Sequence, residues 1–150
     1  MTELLFYHLQ GRGIDSALPA LLERSLQRGW RVVVQGGSEE RLAALDSLLW
    51  TYRDDSFLPH GMAADRDAAE HPVLLTTGDE RSNGAQVRFL IDGAVLPPDA
   101  DVYERLVLMF DGNDEDAVAA ARTQWQEGRT RGFAVTYWQQ NAQGRWEQKA

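Results

Sequence analysis

Short apolar runs alternate along the chain with stretches in which apolar residues return every three or four positions. Leu4–Leu9 (LLFYHL) is the first run, closed by Gly11 and Gly13, and reads as a buried strand. Next, Leu18, Leu21, Leu22, Ser25 and Leu26 share one stripe of a helix that Ser16 can cap, with Pro19 in its first turn and Gly29 at its end. Trp30–Gln35 (WRVVVQ) is rich in β-branched residues and predicts a second strand, followed by a Gly36–Gly37 turn. From Ser38 onward, Leu42, Leu45, Leu48 and Leu49 mark a second helix that runs to Trp50. Strand, helix, strand, helix with short connections is the pattern of a parallel sheet carrying helices on its faces.

Val73–Thr77, Gln86–Asp92 and Leu106–Phe110 continue the set of strands. Asn113-Asp114-Glu115-Asp116 opens a third long helix, with acids at the end the macrodipole favours, and this helix runs to about Gly128. Phe133–Gln140 predicts a last strand, which Asn141–Gly144 turns toward Arg145–Lys149 as a hairpin. Ala63–His71 is the most polar loop and a candidate for mobility. No repeat, low-complexity tract or boundary interrupts the pattern, so residues 1–150 read as a single α/β domain.

Composition narrows the function. The apolar fraction of 43% and the charged fraction of 25% are those of an ordinary globular chain. There is no cysteine, which excludes disulfides and thiolate metal sites and suits a reducing cytoplasm. The opening MTELLFYHLQ is too short and too poor in basic residues to read as a signal peptide or a membrane span. A net charge of −8 argues against direct duplex DNA binding. That charge is unevenly spread. Residues 121–150 carry Arg122, Arg129, Arg131, Arg145 and Lys149 against Glu127 and Glu147, or +3, so the remainder of the chain stands at −11. A basic end on an acidic body suits a local anion-binding patch, and chance segregation would produce it too.

Most enzyme signatures are missing. Gly11-Arg12-Gly13 imitates the start of a dinucleotide fingerprint, but Ser16 stands at the third glycine position and Gln35 where an acid would end the second strand. The only lysine is Lys149, and there is no phosphate-binding lysine loop, nucleophile elbow or pair of histidines at metal-ligand spacing. His8, His60 and His71 lie on separate elements. His60, next to Pro59, reads as a structural residue bonded to loop carbonyls, while Asp54 and Asp55 with His60 keep a small nucleotide-binding or hydrolytic enzyme open as the alternative.

Two surfaces carry more. In the third helix Arg122, Gln126 and Arg129 fall at i, i+4 and i+7, with Val118, Ala121 and Trp125 as a stripe beside them. A guanidinium next to an aromatic can hold a carboxylate while the apolar neighbours take a hydrophobic side chain, which fits an acidic peptide with a free C-terminus. Equally, the two arginines can complement the negative helix end with Trp125 in the core. The second surface is Trp50–Gly61 (WTYRDDSFLPHG), where Phe57 and Leu58 follow a run of charges and either tuck into the sheet edge or face a partner. Single-strand binding through Trp125, Trp138 and the C-terminal arginines is a further possibility, which the net charge disfavours.

FYHL, RGWRVVVQ, LDSLLW followed by DDSFLPHG, and the closing helix with GFAVTYWQQ together resemble the chi subunit family of bacterial DNA polymerase III, in order and over nearly the whole chain. The resemblance implies a three-layer Rossmann-like domain with a mostly parallel sheet that has lost nucleotide binding. It implies a non-catalytic, cytoplasmic accessory subunit of the clamp-loader complex, with no cofactor and no metal. Its partners would be the psi subunit and the acidic C-terminal tail of single-stranded DNA-binding protein (SSB), with no strong direct DNA contact and no membrane. By the same resemblance Arg122 receives the terminal carboxylate of the tail, flanked by Val118, Trp125, Gln126 and Arg129. Val118 and Gln126 stand where better-known members have lysines. Phe57, with Leu58, Pro59 and Trp50, would make the psi contact.

Overall fold

The apolar runs Val32–Val34, Val73–Leu75 and Leu106–Phe110 are strands buried on both faces. The computed structural model describes residues 2–10, 13–52 and 58–150. The elements run β1 (Glu3–Leu9), α1 (Ile14–Gln27), β2 (Val32–Gln35), α2 (Glu39–Thr51), β3 (His60–Met62), β4 (Val73–Thr76), β5 (Val87–Leu90), β6 (Arg105–Asp111), α3 (Glu115–Thr130), β7 (Ala134–Gln140) and β8 (Trp146–Gln148). Single turns of 3-10 helix occur at Ala68–Glu70 and Ala100–Val102.

The strands form one eight-stranded sheet in the order β3-β4-β2-β5-β6-β1-β7-β8. Every neighbouring pair is parallel except the β7–β8 hairpin. Alternate residues serve the two faces. Val32, Val34, Leu75, Phe89 and Met109 pack under α1 and α2, while Val33, Leu74, Leu106 and Leu108 pack on the other side, where Ala121 of α3 lies. The arrangement is the three-layer, mostly parallel α/β fold that the periodicity predicts. No helix among the described residues is long and apolar enough to cross a membrane.

Local chemistry sets the helix ends. Ser38 caps α2 by accepting from the Arg41 amide, and Asp114 caps α3 by accepting from the Asp116 and Ala117 amides at 3.0 and 3.3 Å. At α1 the sequence expectation fails. The cap position is Gly13, which offers no side chain, and Ser16 lies inside the helix. Pro19 therefore sits in the second turn, and its missing N–H leaves the Asp15 carbonyl without an intrahelical donor.

Gly128 does not end α3, which continues to Thr130, with Gly132 beyond it in the left-handed region at φ 81°. The reason for a glycine at 128 is proximity: a Cβ there would lie 2.4 Å from Leu4 Cδ2. The polar segment after residue 62 is tied down as well. Asp65 accepts from the Met62 amide at 2.9 Å, and β3, which has no apolar signature, pairs with β4.

Among the described residues, one arginine is fully buried. Arg88 on β5 is 0% exposed. Its guanidinium donates to Gln35 Oε1 (3.1 and 2.7 Å), the Tyr103 hydroxyl (3.0 Å) and the Glu80 carbonyl (3.0 Å), and also to the Gly78 carbonyl. Gln35, at the end of β2, is thus engaged by Arg88.

Candidate functional site

α3 borders a groove rich in aromatic side chains. Its buried side is built from small residues: Ala121 and Gly128 are buried and Ala117 is half-buried, which lets the helix approach the sheet closely. Gln124 fixes the rotation, because its buried Oε1 accepts from the Leu96 amide at 2.9 Å. Trp125, one residue on, then leans over β1 and β7, with its ring 5.2 Å from Phe6 and 6.4 Å from Tyr137.

Beside Trp125 opens a groove of about 430 Å³. Phe6, Phe110 and Tyr137 line its apolar floor, Val118 and Ala121 its helix side, and Arg122 its rim. Arg122 is exposed and makes no hydrogen bond or ion pair among the described residues. A free guanidinium above an aromatic floor can take a carboxylate and an adjoining apolar side chain together.

His8 also lines the groove. Its Nδ1 is bonded to the Tyr137 hydroxyl, and its Nε2 is buried without a partner. Burial lowers the His8 pKa below its ordinary value, with Asp111 opposing, and burial raises that of Tyr137.

Of the side chains the sequence singles out on this helix, Val118, Arg122 and Trp125 meet in the groove. Gln126 and Arg129 do not line it. Arg129 lies on the same side as Arg122 but about 10 Å further along the axis. Phe6, His8, Phe110 and Tyr137 are not among the site residues that the sequence singles out. They converge through strand register, Phe6 opposite Tyr137 and His8 opposite Phe110, which no local spacing reveals. Two other basic groups of the C-terminal region are engaged: Arg131 donates to the Pro97 and Pro98 carbonyls, and Lys149 lies 3.4 Å from Glu147.

At the corner after α2, Phe57, Asp54 and Asp55 lie outside the described residues. Trp50 is 52% exposed, with its ring 4.9 Å from His60, and Pro59 is half-buried. Leu58 departs from the expectation of a docking residue, since it is 2% exposed and belongs to the core under α2. His60 is anchored from both nitrogens, Nδ1 to the Leu58 carbonyl at 2.6 Å and Nε2 to Asp46 at 2.9 Å. Those bonds account for it as a structural residue.

The crevice at the C-terminal ends of the strands, where α/β proteins bind nucleotides, is acidic. A pocket of about 600 Å³ there is lined by Asp92, Asp111, Asp114 and Asp116, with no arginine or lysine among the described residues that line it. Arg41 lies near by but is held between Asp15 at 2.6 Å and Asp92 at 3.1 Å. The four carboxylates described there act against phosphate. Among the described residues, Asp65, Asp67 and His71 place ligand atoms within 4.8 Å of one another. His71 Nε2 lies 3.1 Å from Asp65 and 3.4 Å from Asp67, contacts that fasten the turn before β4.

A family model described as DNA polymerase III chi subunit, HolC, matches residues 1–136. The DNA polymerase III subunit chi of Pseudomonas aeruginosa is 26% identical over 141 residues, which covers 90% of this chain and 94% of that protein. A protein of Rickettsia prowazekii named probable DNA polymerase III subunit chi is 26% identical over 91 residues, 61% of this chain and 55% of its own length. With the match extending over most of the chain, this protein belongs to the DNA polymerase III chi subunit family and is an accessory subunit in DNA replication.

Proposed function

We propose that the chain is a non-catalytic adaptor that holds the acidic C-terminal tail of SSB in the α3 groove and attaches to the polymerase through psi. The observation that carries this reading is Arg122, unpaired at the rim of a groove floored by Phe6, Phe110 and Tyr137. The terminal carboxylate of the tail meets the guanidinium, and its last apolar side chain enters between Trp125 and Val118. Gln126 and Arg129 receive the acidic residues that precede it, further along α3.

Val118 and Gln126 bring no charge to the site, so binding is less salt-sensitive than a lysine-flanked arginine would make it. The psi contact uses Trp50 and Pro59, with Phe57 between them in sequence and Leu58 anchoring the corner from beneath. A crevice lined by four aspartates supports the absence of nucleotide chemistry. A replication subunit works beside the chromosome, and on this reading the protein is cytoplasmic, binds no cofactor or metal, and needs no strong DNA contact of its own.

The test is a fluorescence titration of a synthetic acidic SSB-tail peptide on wild type, Arg122→Ala and Arg129→Glu. Wild type should bind in the micromolar range. Loss of one hydrogen-bonded charge pair of about 1.5–3 kcal/mol weakens Arg122→Ala by roughly 10- to 150-fold. No binding by wild type at low salt refutes the tail assignment, and an unchanged affinity in Arg129→Glu removes that residue from the path.

A further inference from the structure

On the α1 side, the sheet extends beyond the helices that cover it. α1 packs over β2 and β6, and α3 reaches β7 from the opposite face. Between α1 and the β7–β8 hairpin this leaves a groove of about 560 Å³. Its floor is aromatic: Tyr7 stacks on Trp146 with centroids 4.4 Å apart and planes 24° from parallel, and Trp138 lies 6.3 Å from Tyr7. Arg24 of α1, Arg105 of β6 and Arg145 beside β8 stand around it, and no acidic residue is among the described residues that line it.

Arg105 is held by Glu3 at 2.9 Å. Arg24 and Arg145 are exposed and form no side-chain hydrogen bond or ion pair among the described residues. Burial raises the Tyr7 pKa, and the charges of Arg105 and Arg24 act against that rise, so both guanidiniums project their field onto the floor. On a chain of net charge −8, two open arginines with a third half-neutralised, over three rings, form a local exception. Trp138, Arg145 and Trp146 all lie beyond residue 136, where the family match ends.

We propose that this groove binds a short stretch of single-stranded DNA, with backbone phosphates on Arg24, Arg105 and Arg145 and a base stacked against the aromatic floor. Rings serve a base better than they serve a carboxylate side chain, because every base has a π-face and tolerates any stacking partner of that shape. The volume suits one or two nucleotides. Acidic residues elsewhere keep the interaction weak and confined to this groove, so it acts on a strand already held close by another contact. Because it lies on the opposite face of β1 and β7 from the Arg122 groove, both sites can be filled together. The proposal stands independently of the tail assignment.

Fluorescence anisotropy of a labelled oligo-dT of about ten nucleotides tests it on the full chain. With three phosphate contacts and a slope near −0.7 per contact, affinity should fall about 18-fold between about 50 and 200 mM salt. The variant Arg24→Glu/Arg145→Glu, at two exposed positions, should keep its circular dichroism spectrum and bind at least about tenfold more weakly. Arg122→Ala should bind like wild type. No anisotropy change at low salt overturns the proposal, as does equal binding by the double variant. If instead a polyglutamate peptide, and not the oligonucleotide, shows this arginine dependence, the groove is a peptide site and the proposal is wrong.

Discussion

Replacing Arg88 by methionine sets two large effects against each other. The apolar side chain removes a guanidinium whose burial is costly, and exchanging buried ionic groups for apolar ones of similar size is neutral or stabilising in some proteins, by about 1–4 kcal/mol. Here, however, the partners are the Gln35 side chain, the Tyr103 hydroxyl and two main-chain carbonyls. Gln35 and Tyr103 are both buried. Each buried polar group left unsatisfied costs about 1–3 kcal/mol, whereas the Glu80 carbonyl belongs to an exposed residue and can bind water.

The expected net loss for Arg88→Met is therefore about 1–3 kcal/mol. A second substitution, Gln35→Leu, should recover part of that loss, because it removes the stranded amide. Urea unfolding followed by tryptophan fluorescence, on the four members of the cycle, reads both quantities from midpoints at constant slope. Wild-type stability in Arg88→Met, or additive losses in the double variant, would refute the view that Arg88 and Gln35 are one unit.

Gly128→Val should destabilise by about 1–3 kcal/mol and alter the near-ultraviolet signal of Trp125, since a side chain there drives α3 off Leu4; thermal unfolding and circular dichroism check it. Trp50→Ala should weaken co-elution with psi in gel filtration while leaving SSB-tail affinity unchanged. His8 titrates below its ordinary 6.5 when folded, so as the solution is acidified through that value the unfolded chain takes up protons first and stability falls. Urea midpoints at about pH 7.5 and about pH 5.5 should show a larger drop for wild type than for His8→Leu, in which this contribution is absent.

Periodicity was sufficient for the layers. Val32–Val34 and Leu106–Phe110 are continuous apolar runs because parallel strands are buried on both faces, and that property is local. The cap at Ser38 was legible for the same reason. Ser16 misled because serine three residues into a helix looks like a cap when the true cap, Gly13, has no side chain to signal itself. β3 has no local signal, because His60–Met62 carries no strand pattern of its own and is a strand through its pairing with β4. In the α3 groove, helical spacing brings Val118, Arg122 and Trp125 together, but Phe6, His8, Phe110 and Tyr137 come from three strands whose neighbours are set by crossover connections. Arg122, Gln126 and Arg129 share a helix face in sequence, yet only the first reaches the groove, because its extent depends on where α3 crosses β1 and β7.

The sheet ends, on both sides, in a strand of three residues: β3 at one margin and β8 at the other. Such short margins offer an incoming chain only two or three main-chain hydrogen bonds. Partners that extend a sheet by adding a strand find only short templates at β3 and β8. Such margins favour recognition by side chains, the arginines and aromatic rings of the surface, whose replacement one at a time can retune a partnership without touching the backbone frame. The same short margins guard copies of the protein against joining edge to edge, which matters for a subunit that has to meet other proteins without polymerising with itself.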